Sequence, residues 1–173
     1  AKFEEDEWVR EEGGGGRTRI IQNGEIIEKG GVNFSQVEGV LPASIKKALS
    51  LDSKYFFATG VSIVIHPINP MVPIIHMNVR YFETKLTKDA EKVEKSWFGG
   101  GIDLTPHYVS KVDAAFFHEQ LKSVCDAADE SYYSKFKAWA DDYFYIKHRK
   151  ETRGIGGIFF DKLDGVGSSM EEV

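Results

Sequence analysis

Apolar and polar positions alternate with a period of two through much of the first hundred residues, and that alternation predicts strands. The clearest runs over 56–66, where Phe57, Thr59, Val61, Ile63 and Ile65 fall on one face and Gly60, Ser62, Val64 and His66 on the other. Its apolar content is β-branched, and Gly and Pro bound it. A second strand is predicted over 74–83, with Ile75, Met77, Val79 and Tyr81 opposed to His76, Asn78, Arg80 and Phe82; Pro67, Pro70 and Pro73 shape the loop between the two. A third is predicted over 97–104, with Trp97, Gly99, Gly101 and Asp103 on one face. Glycine weakens a strand, so these glycines suggest close approach of a ligand or of another backbone. Upstream, Asn23-Gly24 between the runs 17–22 and 25–29 predicts a hairpin with positive φ at both turn positions. A further strand covers 32–38. The apolar faces are expected to form the core.

The period then lengthens. A short helix is predicted over 42–49, with Ile45 and Leu49 one turn apart. Ser110 and Asp113 start a helix over 112–127 in the manner of a capping box, and Ala114, His118, Leu121 and Cys125 form its inner stripe. Another helix is predicted over 132–147, burying Phe136, Trp139, Ala140 and Tyr143, with His148 at its end. Residues 85–95 read as a charged connection, 158–160 as a strand ended by Asp161, and Ser169 with Glu172 as the N-cap of a helix the sequence does not continue. Strands follow one another without alternating helices, which argues against a doubly wound parallel sheet. The expected fold class is α+β: one domain over 1–173, a largely antiparallel β-sheet flanked by α-helices.

Composition narrows the classes. The chain has 173 residues, enough for one domain. Its 22 basic and 27 acidic residues leave a net charge of 22 − 27 = −5, which excludes a nucleic-acid partner held by bulk positive charge. No apolar run approaches the length of a membrane span. Cys125 is the single cysteine and cannot form an internal disulfide, which fits a reducing compartment. Six acids among the first twelve residues are unlike a secretory signal or a mitochondrial presequence, and a cytoplasmic location is the expectation. Aromatics at 13% and 17 glycines would suit a large flat ligand.

Paired antiparallel across the proline loop, the two central strands would pool Ser62, His66, His76, Asn78 and Arg80 on one sheet face. Asp103 adds a carboxylate beside a glycine-floored surface. Gly13 to Gly16 lack the spacing of a phosphate cradle and read as a loop that closes over a ligand. Asp141-Asp142 reads as a solvated pair.

Taken together these residues resemble the oxygen-dependent coproporphyrinogen III oxidases. The resemblance rests on Trp8 with Gly13–Gly16 and on Gly31-Val32-Asn33-Phe34-Ser35. It continues through Ala58-Thr59-Gly60-Val61-Ser62, His66-Pro67 and His76-Met77-Asn78-Val79-Arg80-Tyr81-Phe82. Its most distinctive run is Trp97-Phe98-Gly99-Gly100-Gly101-Ile102-Asp103-Leu104-Thr105-Pro106, followed by Asp141-Asp142-Tyr143-Phe144-Tyr145, His148-Arg149 and Arg153-Gly154-Ile155-Gly156-Gly157.

The resemblance implies oxidation of two propionates of coproporphyrinogen III to vinyl groups, giving protoporphyrinogen IX in haem biosynthesis. Molecular oxygen is the co-substrate and no organic cofactor takes part. It implies Asp103 as the carboxylate beneath the macrocycle, His76 as a proton donor, Arg80 for a propionate, and Ser62 and Asn78 as substrate contacts. It also implies His66, His76, His118 and His148 as divalent-metal ligands. Their spacing adds no support, since no pair stands at i, i+2 or i, i+4; polar core or substrate-contacting imidazoles are the alternative. The family's C-terminal part supplies more sheet, a Gly-Gly-Arg-type contact and much of a homodimer interface. This chain is therefore expected to be an N-terminal portion, incomplete at its C-terminus. A metal-dependent oxygenase built on a His cluster, and a fragment that binds tetrapyrrole without turnover, are the rival readings.

Overall fold

The computed structural model describes residues 2–48 and 52–163. Seven antiparallel strands form one sheet in the order β1-β2-β3-β4-β5-β6-β9. They are β1 (Glu4–Val9), β2 (Gly14–Gln22), β3 (Ile27–Val40), β4 (Tyr55–Pro67), β5 (Ile74–Lys85), β6 (Lys95–Thr105) and β9 (Gly157–Leu163). The first six run as a meander. The chain then leaves through helices α2 (Lys111–Ala128) and α3 (Tyr132–Tyr143), passes a small hairpin of β7 (Tyr145–Ile146) and β8 (Glu151–Thr152), and returns as β9 beside β6. A one-and-a-half-turn helix, α1 (Ala43–Ala48), links β3 to β4. The expected α+β class is the one observed.

Several expectations are corrected. The acidic N-terminal stretch forms β1, because its charges are answered across the pair: Glu5 lies opposite Arg19 and Glu7 opposite Arg17. Gly14, Gly15 and Gly16 are part of β2, paired with Val37, Gln36 and Ser35 of β3, and so do not form a closing loop. The predicted hairpin at Asn23-Gly24 forms between β2 and β3, but its turn is longer and takes in Glu25 and Ile26; Asn23 has a positive φ of 53° while Gly24 does not. The rest of the run 25–29 joins 32–38 in one fourteen-residue strand from Ile27. α3 stops at Tyr143, and the chain turns into β7. Phe144 N–H closes the last turn on Ala140, and Phe144 itself is buried. His148 thus lies in the exposed turn between β7 and β8 and not at a helix end. β9 continues past Asp161 to Leu163. The predicted N-cap at Ser169 lies outside the described residues.

The expected core is also revised. Every residue of β4 is half-buried, on both faces, and Phe34 and Val79 of the apolar face are 44% and 50% exposed. The buried apolar side chains are Leu41, Cys125, Phe136, Ala140 and Phe144, so among the described residues tight packing sits mainly where α2 and α3 meet β9. A second spot is at the other end of the sheet, where Leu41 lies near the buried Ser53–Thr84 hydrogen bond. α3 follows the outer edge of β9. Phe136 packs on Phe160, while Tyr143 stacks on Phe159 at 4.5 Å with Trp139 edge-on to the same ring. Trp139 and Tyr143 were expected to be buried. They remain 44% and 61% exposed because only one side of each ring meets the strand. The inner stripe of α2 is as predicted, with Ala114, His118 and Leu121 half-buried and Cys125 buried. Ser110 Oγ accepts the Asp113 N–H at 3.3 Å, a cap that stabilises a helix start by about 1 kcal/mol.

Candidate active site

Directly opposed residues in an antiparallel pair share a sheet face, so the register decides which predicted residues meet. Ser62 faces Asn78, and Asn78 faces Gly101. His76 faces Asp103, and Arg80 faces Gly99. On β3, Asn33 faces Ser62 and Lys29 faces His66. Ser62, His66, His76, Asn78, Arg80 and Asp103 therefore occupy one face of β4, β5 and β6, as the alternation predicted. Floor and walls differ. Gly60 and Gly99 flank Arg80, and a Cβ on Gly99 would overlap the Arg80 side chain and the Asp161 carboxylate.

Asp103 is the centre of the arrangement. Its side chain is 2% exposed. His76 Nδ1 lies 2.9 Å from Oδ1, and the Arg153 guanidinium donates to Oδ2 at 3.0 Å. A buried carboxylate without partners is costly, so this pairing is what permits the burial. An ionised Asp103 only accepts, which sets the tautomer of His76: Nδ1–H donates to Asp103 and Nε2 is left to accept a proton. His76 and Arg153 are about a third and nearly half exposed, so both reach the open face while Asp103 sits behind them.

Arg153 stands out among the functional residues that sequence reasoning did not place in the site. Its position inside Arg153-Gly154-Ile155-Gly156-Gly157 was legible; its partner was not. Gly154 takes φ +60°, and a Cβ there would collide with the Leu104 carbonyl, so glycine at this position lets the loop cross tightly over the end of β6. The Arg153 guanidinium also lies over the Phe144 ring at 4.2 Å.

The other predicted residues are placed as follows. Arg80 pairs with Asp161 at 3.2 Å and lies 5.8 Å above the Phe159 ring, with nearly half of its side chain exposed. Asn78 Oδ1 is shielded from solvent without a hydrogen-bond partner, an acceptor on the floor that suits a donor from above. His66, Lys29, Asn33 and Val64 line an open concavity of about 460 Å³ on the β2–β4 side of the same face. The larger concavity, about 730 Å³, is lined by Glu7, Trp8, Arg17 and Phe34 at the β1–β3 end and includes none of the six.

The four histidines implied as metal ligands do not converge. His118 is on α2, where one ring nitrogen meets the Ile155 carbonyl and the other the Tyr133 hydroxyl. His148 is in the β7–β8 turn, and His76 is committed to Asp103. Among the described residues no three His, Cys, Asp or Glu side chains are grouped as a metal site requires. These residues do not fit a metal. Among the described residues, no helix is long and apolar enough to cross a membrane.

The coproporphyrinogen III oxidase family model matches residues 1–173. An oxygen-dependent coproporphyrinogen-III oxidase of Drosophila melanogaster is 53% identical over 171 residues, covering 94% of this chain and 43% of that protein. The chloroplastic coproporphyrinogen-III oxidase 1 of Arabidopsis thaliana is 50% identical over 177 residues, covering 98% of this chain and 46% of that protein. An oxygen-dependent coproporphyrinogen-III oxidase of Prochlorococcus marinus is 48% identical over 169 residues, covering 96% of this chain and 47% of that protein. The chain spans about half the length of the curated relatives it matches.

Proposed function

The chain belongs to the coproporphyrinogen III oxidase family, and on that premise we propose that it carries the reactive half of an oxidase that converts two propionates of coproporphyrinogen III to vinyl groups. The observation that carries this reading is Asp103, buried between His76 and Arg153 at the edge of a glycine-floored polar face. Each propionate leaves its carboxyl carbon as carbon dioxide and gives up two electrons and a proton. Molecular oxygen accepts the electrons, four from the two propionates, and with the two protons they release and two more from solvent becomes two waters. The pyrrole is electron-rich, so the chain's own task is to bind it, orient it and move protons.

The geometry divides that task. His76 Nε2 faces the open side and takes the pyrrole or side-chain proton, the loaded imidazole then being the proton donor the resemblance implies, while Asp103 behind it holds the ring in that tautomer. Arg153 donates to Asp103 Oδ2 and faces the open side, where it meets developing negative charge. Arg80 offers a planar fork to a propionate, exchanging Asp161 for the substrate carboxylate. Gly99 leaves room for the Arg80–Asp161 pair and Gly101 for the Phe159 ring, so these glycines seat the propionate-binding arginine, and Asn78 and Ser62 on the same face meet the macrocycle. No organic cofactor and no metal enters this scheme.

The same reading makes the full-length protein a homodimer. Its support is the half-exposed apolar face around Phe34, Val61, Val79 and Phe98, an area that soluble proteins cover. The deciding experiment is fluorescence detection of protoporphyrin formed from coproporphyrinogen III by the full-length protein and its Asp103→Asn variant. Turnover by the parent and its loss in the variant are expected; equal turnover refutes the assignment.

A further inference from the structure

The loop from Arg153 to Gly157 is clamped from two sides. On the sheet side, Ile155 N–H donates to the Leu104 carbonyl at 3.0 Å, and Leu104 N–H donates to the Gly156 carbonyl at 3.3 Å. On the helix side, His118 Nε2 lies 3.0 Å from the Ile155 carbonyl, and the Tyr133 hydroxyl lies 3.0 Å from His118 Nδ1. A carbonyl only accepts, so Nε2 carries the proton and donates. Nδ1 then accepts from the Tyr133 O–H. Both ring nitrogens are thereby spent, with no lone pair left for a metal.

Ile155 is two residues from Arg153, and the residue between them is Gly154 at φ +60°. Gly154 has no side chain with which to hold the backbone by itself. The Arg153 N–H donates to the Phe144 carbonyl at 3.1 Å, which anchors the near end of the loop. The far end is anchored by Leu104, the neighbour of Asp103, and by His118. Leu104 and His118 hold the two backbone groups of the same residue, the Ile155 N–H and the Ile155 carbonyl. Loss of the His118 bond frees the Ile155 carbonyl, and with it the path of the guanidinium toward Asp103.

We propose that His118 is a positioning residue of the reactive site, aimed by Tyr133 and acting through the Ile155 carbonyl to hold Arg153 against Asp103. The inference rests on the reading of Asp103, His76 and Arg153 given above. It replaces the metal-ligand role that the family resemblance implied for His118. α2 and α3 then have a functional duty as well as a packing one, since each supplies one member of the His118–Tyr133 pair.

The test uses the full-length protein and four substitutions. His118→Phe removes both bonds at similar ring size and is expected to lower kcat on the order of 10²-fold, the size of effect that follows a misplacement of about 1 Å. His118→Gln keeps an N–H at the Nε2 position and is expected to recover all but about fivefold, one neutral hydrogen bond being worth about 1 kcal/mol. Tyr133→Phe, a gentler change should His118→Phe fold poorly, is expected to cost about fivefold for the same reason. Hydrogen exchange supplies a readout independent of turnover. In His118→Phe, peptides spanning 153–158 are expected to lose protection while those of β4 and β5 keep it. In an Arg153→Ala background, His118→Phe is expected to add no further loss of kcat, because the group it positions is gone.

A full additional loss in the Arg153→Ala background would overturn the proposal, as would equal damage from Gln and Phe at 118. So would one equivalent of Mn²⁺ or Zn²⁺ bound by the parent in equilibrium dialysis and lost in His118→Gln. Unchanged turnover in Arg153→Ala would overturn the site reading and His118's role together. Unchanged exchange in His118→Phe, with Arg153→Ala impaired, would overturn the role of His118 alone.

Discussion

Two regions of this molecule join acids to arginines, one across antiparallel strands and one between a strand and a loop, and they differ chiefly in how far water reaches the carboxylate. On the β1–β2 hairpin, Glu5 meets Arg19 at 2.5 Å and Glu7 meets Arg17 at 2.6 Å, with all four side chains substantially exposed. The Arg19 guanidinium holds the Glu5 carboxyl below its ordinary range, and Glu7 first, then Glu5, raise Arg17. At the other end of the sheet, Asp103 meets Arg153 and His76 with 2% of its surface exposed. Solvent and salt screen the first set, which fixes register and little else. In the second set the carboxylate is shielded although its partners are not, and removing a partner leaves a nearly buried charge less fully answered. The chemistry of the side chains is shared; burial turns one set into a strand-pairing device and the other into a site that can hold a proton.

Substitutions break the comparison in order of size. Asp103→Asn keeps shape and loses charge, so it leaves His76 in the wrong tautomer. Turnover is expected to fall on the order of 10³- to 10⁴-fold with the fold intact, checked by protoporphyrin fluorescence beside a circular dichroism spectrum. Arg80→Lys keeps charge and loses the fork. The substrate Kd is expected to rise about tenfold or more, measured by quenching titration of the full-length protein, and an unchanged Kd would remove Arg80 from propionate binding.

Gly154→Ala forces a side chain into the positive-φ turn and against Leu104. The expected cost is about 1–3 kcal/mol, visible as a lower urea midpoint, together with reduced turnover as the Arg153 loop shifts. The smallest effect is expected on the hairpin. Glu5→Gln should leave turnover unchanged and shift Tm within error at physiological salt. The sign follows from the lowered folded pKa of Glu5: its contribution is present above the ordinary carboxylate value and fades as pH falls through the folded value. A loss of turnover in Glu5→Gln comparable with that in Asp103→Asn would erase the distinction between the two regions.

Much of the site was legible because strand periodicity is a local property. Once 56–66, 74–83 and 97–104 are strands, the pleat assigns Ser62, His66, His76, Asn78, Arg80 and Asp103 to their faces without further information. The Ser110 cap and the inner stripe of α2 are equally local. Legibility failed where a residue's partner is remote. Trp139 and Tyr143 sit on the helical stripe predicted to be buried, yet their exposure depends on α3 meeting the edge of β9 and not its face. The acidic start carried no strand pattern, since the basic residues that neutralise it are on β2.

The sequence by itself determined the antiparallel sheet, the faces of its central strands and the family resemblance, because each depends on alternation, turn residues and contiguous motifs. Tertiary structure alone decided that His76 stands opposite Asp103 in register, that Arg153 arrives from fifty residues away to complete the group, and that His118 is bonded to the loop carrying Arg153 and not to a metal. The physical reason is the range of the interactions involved. A pleat acts on neighbours and can be read along the chain. A buried charge selects its partners by proximity in space, and that proximity exists only once β9 has returned to pair with β6 and α2 has packed behind the loop between them.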